Sequence, residues 1–86
     1  MGYINPLLDL PAAEGLLKLP REQRRAMALV LRQMRDQANT EAEQAWLRRK
    51  GPMAAYWRAV STYARHFAHA LEQPSKDAAI AKGVAA

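Results

Sequence analysis

The sequence predicts an all-α protein. The expected architecture is a long antiparallel helical hairpin with a short N-terminal helical segment packed against it, paired as a dimer. Three observations predict it. Residues 21–50 contain neither proline nor glycine and are rich in Ala, Leu, Met, Gln, Glu and Arg, the strongest helix formers. Residues 53–71 place Met53, Trp57, Val60, Ala64, Phe67 and Leu71 at alternating spacings of four and three. Between the two runs stands Lys50-Gly51-Pro52, a punctuation so short that the helices it joins must be neighbours.

The elements follow in chain order. Residues 3–19 hold two helix starts, Asn5-Pro6 and Leu10-Pro11, because proline is tolerated in a first turn where its missing N–H costs nothing. Gly15 weakens the second, so short helical turns anchored by Leu7, Leu8, Leu10, Leu16, Leu17 and Leu19 are expected. The long helix is read over 20–50, roughly 45 Å at about 1.5 Å per residue. Its core stripe is Met27, Leu31, Met34, Ala38, Ala42 and Ala45, with Val30 at the edge. Arg48-Arg49-Lys50 suits the negative end of the helix dipole, Gly51 the left-handed cap and Pro52 the stop.

The second long helix is read over 52–73, its core stripe widened by Tyr56, Tyr63 and Ala70. Aromatics at helical spacing are read as core, because a domain this small cannot spare its largest residues. The alanines of one helix are then expected to face the aromatics of the other. Residues 74–86 carry small side chains and are read as a flexible tail, leaving 1–73 as the single domain.

Composition bounds the function. The chain has 86 residues, of which half are hydrophobic, and no cysteine. Alanine supplies 18 of the apolar residues, which leaves enough larger ones for one small core. Two-domain enzymes and dinucleotide folds are excluded by length, and disulfide scaffolds, thiolate zinc sites and thiol chemistry by the missing cysteines. The opening Met1–Pro6 has no basic n-region, and Pro6, Asp9 and Pro11 interrupt any apolar run. No stretch approaches the roughly 20 apolar residues of a membrane span. A cytoplasmic protein without a membrane partner is expected.

Chemistry-bearing groups are sparse. His66, His69 and Glu72 stand three apart on a helix, but Arg65 adjoins them and the phase puts His69 on the polar face. No metal or other cofactor is expected. Glu41 and Glu43 point to different faces, and there is no Gly-rich phosphate loop, so no enzyme is expected.

Two sets of residues suit binding instead. Leu29 and Leu47 lie opposite the main stripe of the long helix, and Trp46 and Leu47 stand near the hairpin tip without an obvious partner. They suggest a second chain, a homodimer mate or a different protein. Leu29 alone has another explanation, cover by the N-terminal leucines. The net charge of +5 is concentrated in residues 21–50. Arg21, Arg25 and Arg32 share a face there, with Arg24 and Arg35 beside it. Arg48, Arg49 and Lys50 cluster at the tip, and Arg58 and Arg65 join a polar stripe on the second helix. These cations suit nucleic-acid backbone as an alternative ligand, although arginines also populate solvated helix faces.

The stretch Leu19-Pro20-Arg21-Glu22-Gln23-Arg24 resembles the opening of the promoter-recognition helix-turn-helix region of bacterial sigma factors. The likeness ends there. The helical pattern runs on without the glycine-containing turn that the motif requires after Met34 or Ala38, so only a shared helix start is implied. The function expected is a small non-catalytic interaction module, a regulator or adaptor working through a helix face.

Overall fold

The computed structural model describes residues 5–73. Helices account for 87% of them, none lies in a strand, and two long helices pack on each other. A 3-10 helix over Pro6–Asp9 and a second over Pro11–Lys18 precede α1, Arg21–Leu47, and α2, Gly51–Leu71. Partners 24/71 and 39/58 run in opposite order along the two long helices, so their packing is hairpin-like. The extents, 56 × 26 × 22 Å, are those of a rod rather than a ball.

Each 3-10 helix opens on a proline. Asn5 caps the first: its Oδ1 accepts from the Leu7 N–H at 3.0 Å while its Nδ2 donates to the His66 carbonyl at 2.7 Å. One buried side chain thus both starts the segment and ties it to α2. Leu16 then reaches the core formed by Ala28, Ala68 and Leu71, beside Leu31 and Phe67.

The buried stripe of α1 keeps Leu31, Ala38, Ala42 and Ala45 of the expected one and replaces Met27 and Met34. Arg24, Ala28, Leu31, Arg35, Ala38, Ala42 and Ala45 are buried or half-buried, at a strict spacing of four and three, whereas Met27, Val30 and Met34 are exposed. The matching stripe of α2 is Ala54, Trp57, Ser61, Ala64, Ala68 and Leu71, with Met53 exposed. Both stripes follow the seven-residue repeat that keeps one seam of a helix on its neighbour. Their residues are small. Among the described residues nine apolar ones are buried; eight are alanines, and the ninth is Leu71.

Small therefore meets small, which corrects the expectation of alanine facing aromatic. Tyr56 and Tyr63 stand 57% and 58% exposed, and Trp57 and Phe67 are half-buried. The reason is steric. Where alanines line both seams the backbones approach closely, and Tyr56, Tyr63 and Phe67 are set on the flank, while Trp57 enters the seam near Ala45. Leu29 is likewise not covered by the N-terminal leucines; it is 61% exposed.

The turn differs too. α1 ends at Leu47 rather than Lys50, so the left-handed position falls on Arg49, with φ 58°, and not on Gly51. The Lys50 N–H donates to the Ala45 carbonyl at 2.8 Å and the Arg49 N–H to the Trp46 carbonyl at 2.9 Å. This is the double closure of a Schellman turn with an arginine where glycine is favoured. Gly51 instead opens α2, with Pro52 behind it. A side chain in left-handed backbone costs roughly 1–2 kcal/mol, partly offset in a glycine variant by a more flexible unfolded chain. Arg49→Gly should therefore raise stability by about 0.5 kcal/mol, read as a higher midpoint in chemical denaturation. The expected tail, 74–86, lies outside the described residues.

Candidate functional site

Two cross-helix bonds define one long side of the pair. Arg32 pairs with Glu72, and the Arg58 guanidinium donates to Asn39 Oδ1 at 2.8 Å. At about 100° per residue, Arg21 and Arg25 of α1 and Arg65 of α2 fall on this same polar side. The fold thus gathers five of the predicted cations, Arg21, Arg25, Arg32, Arg58 and Arg65, along one side. Arg32 and Arg58 are engaged there by Glu72 and Asn39. Arg48, Arg49 and Lys50 lie apart from them, exposed in the turn at the tip.

The opposite flank is apolar. Helical phase puts Met27, Val30 and Met34 of α1 there, beside Met53, Tyr56 and Tyr63 of α2. A depression of about 140 Å³ lies on this flank beside the tip. It is lined by Glu41, Gln44 and Ala45 of α1, by Arg48 and Lys50 of the turn, and by Met53 and Trp57 of α2. Sequence reasoning placed these large side chains in the core because it ranked them by hydrophobicity. The signal that identifies the true seam is the four–three recurrence of small residues, Ala28, Ala38, Ala42 and Ala45 in α1 and Ala54, Ser61, Ala64 and Ala68 in α2.

The tip holds the most exposed large apolar side chains of the described residues. Trp46 is 69% and Leu47 80% exposed. With Arg49 and Gly51 they line an open depression of about 490 Å³. Trp46 stands in the last turn of α1 because the helix continues to Leu47 before the Schellman turn reverses the chain. Leu29, the third predicted interaction residue, lies several turns away, so the fold does not bring it to the tip.

Arg24 is a structural residue that the sequence reading set beside an outer cationic face. It is 2% exposed. Its Nη1 donates to the Leu71 carbonyl at 2.9 Å and the Gln73 carbonyl at 2.7 Å, and its Nε to the Leu19 carbonyl at 3.1 Å. The end of α2 needs these donors. The Ala68 carbonyl takes the Glu72 N–H, that of Ala70 takes the Gln73 N–H, and that of His69 takes both Glu72 N–H and Gln73 Nε2. Arg24 serves Leu71. Its position in register with Ala28, Leu31 and Ala38 was the available signal.

The histidines are built into the same end. The buried His66 meets Tyr63 edge-on at a ring-centroid distance of 6.0 Å. Asn5 Nδ2 lies 3.3 Å from His69 Nδ1, and Gln73 Nε2 lies 3.3 Å from its Nε2. Among the described residues no group of three or more His, Cys, Asp or Glu side chains is placed to hold a metal ion. Nor, among them, is any helix long and apolar enough to cross a membrane. No protein-family model matches this chain, and neither the curated proteins nor the solved structures give a match.

Proposed function

We propose that this chain is a small non-catalytic interaction module, a regulator or adaptor that docks its hairpin tip on another protein. One observation carries the reading. The chain buries alanines while it presents Trp46 and Leu47 side by side, at 69% and 80% exposure, around an open depression. Tryptophan and arginine are the residues that most often anchor protein interfaces, and a tryptophan this exposed contributes little to the monomer. Leu29, exposed several turns away on α1, is a separate apolar contact for a partner that reaches along the helix.

The test replaces the anchors with polar residues, Trp46→Ser together with Leu47→Gln. Surface changes of this kind alter stability by no more than about 0.5 kcal/mol. Helicity and melting should therefore hold while capture of the partner by the tagged chain falls at least tenfold. A melting temperature that drops along with capture would make both residues core and sink the proposal.

A second reading rests on the same tip. Arg48, Arg49 and Lys50 follow Trp46 and Leu47, a pairing of cations with an aromatic plate that suits a nucleic-acid strand. Arg21, Arg25, Arg32, Arg58 and Arg65 would extend the basic track along the polar side. Nuclease treatment of the captured material separates the readings. A protein partner survives it, whereas a nucleic-acid ligand is lost and its affinity falls steeply with salt.

A further inference from the structure

The apolar flank is a second surface, distinct from the tip. Its six large side chains, Met27, Val30, Met34, Met53, Tyr56 and Tyr63, are each between 41% and 58% exposed. They are contributed by both helices and face one way. Helical phase adds Gln23, Gln37 and Gln44 from α1, and Glu41 is the one charged residue it places between Gln23 and Trp46 on this side. Of the remaining charges of both long helices, Arg24 and Arg35 lie in the seam and the others on the polar side or the outer edges, while Arg48 and Lys50 of the turn border the flank at the tip.

We propose that a second copy of this chain covers the flank, in a two-fold symmetric dimer that buries the methionines and tyrosines between two helix pairs. Area is the first argument. At roughly 200 Å² for each full side chain, the six expose on the order of 600 Å². A stable interface takes about 800 Å² from each partner, and the half-buried Val60 and Phe67 with the glutamine rim make up the difference.

Composition is the second argument. Methionine and tyrosine are enriched and charges depleted at the centres of protein interfaces, and this flank has that make-up. Charge is the third. Each chain carries +5, so two copies repel across most of their surface. Between Gln23 and Trp46 this flank carries Glu41 and no arginine, so like chains meet there without setting arginine against arginine, and an isologous contact requires the same patch from both. The flank offers nothing to a polyanion. This inference shares with the docking-module reading only the premise that protein covers the exposed apolar side chains; it concerns the other side of the rod.

Sedimentation equilibrium of the purified chain, from micromolar to millimolar concentration, tests it. The expected species has twice the 9.6 kDa chain mass. Met34→Glu with Tyr63→Glu should raise the dissociation constant at least a hundredfold while far-ultraviolet circular dichroism stays unchanged. Trp46→Ser with Leu47→Gln should leave it within a factor of two. Should the glutamate pair unfold the chain, a cysteine at Met34 replaces that test, since the chain has no other. A thiol–thiol cross-linker should then join two Met34→Cys chains and leave an Arg25→Cys control, on the polar side, single. A monomer throughout the range overturns the proposal. So does open-ended assembly, an absent cross-link, or a dimer abolished by the tip variant and kept by the glutamate pair. Because this assay uses the pure chain and the docking test reads partner capture, either reading can fail while the other stands.

Discussion

Arg24→Met should lower the melting temperature by roughly 10–20 °C, the largest effect expected of any single polar-to-apolar change in α1. The substitution keeps the aliphatic stem and removes the donors. The Leu71 carbonyl then has no protein donor inside a buried end, and the carbonyls of Gln73 and Leu19 lose theirs in half-buried surroundings. A hydrogen bond from a charged group contributes about 1.5–3 kcal/mol, and a buried acceptor left without a donor costs about 1–3 kcal/mol. Water reaches the Gln73 and Leu19 carbonyls, so a loss of about 3 kcal/mol overall is expected. Arg24→Lys should recover less than half of it, because an ammonium group cannot span three acceptors in the plane that a guanidinium does. Thermal melts followed by circular dichroism check both. A Met variant as stable as the parent would mean that the arginine only fills space.

Ala42→Leu should destabilise by about 2–3 kcal/mol, and Ala26→Leu by less than about 0.5 kcal/mol. Both alanines lie in α1, and leucine is nearly as good a helix former, so propensity cancels in the comparison. Their environments differ. Ala42 has no exposed surface and sits in the seam, whereas Ala26 is exposed. A leucine in the seam must push α2 away or take a strained rotamer. Denaturant titration of the two variants measures the difference. Equal midpoints would show that the helices are not held close by their alanines.

Much of this architecture was legible in the sequence. The prolines at 6 and 11 open the two 3-10 helices, the proline-free run forms α1, and the chain turns within residues 48–50. The rotational phase of each helix was legible only in part: Leu31, Ala38, Ala42 and Ala45 of α1 and Trp57, Ala64 and Leu71 of α2 hold their expected places, whereas the methionines and tyrosines do not, and the reason is physical. A hydrophobicity pattern weights Met27, Met34, Tyr56 and Tyr63 above any alanine, yet in a two-helix contact the distance between backbones decides which residues are enclosed. Small side chains win the seam because they let that distance shrink. The same weighting hid Arg24, whose charge argued for solvent although its position lay in the seam. At the turn, the run of basic residues looked like the end of a helix; the left-handed residue proved to be the middle one, Arg49.

A seam of alanines also has a translational consequence. Leucine or isoleucine knobs fit their holes at one register only, but methyl groups repeated every three or four residues present nearly the same relief after a shift of one heptad. Such a contact selects an orientation without selecting an alignment. The alignment must come from features that do not repeat: the tight link at one end, the guanidinium of Arg24 fastened to the last turn of α2 at the other, and Arg58 on Asn39 between them. The helix pair is therefore indexed by its polar fastenings, and its apolar seam serves as a track along which they set the stop.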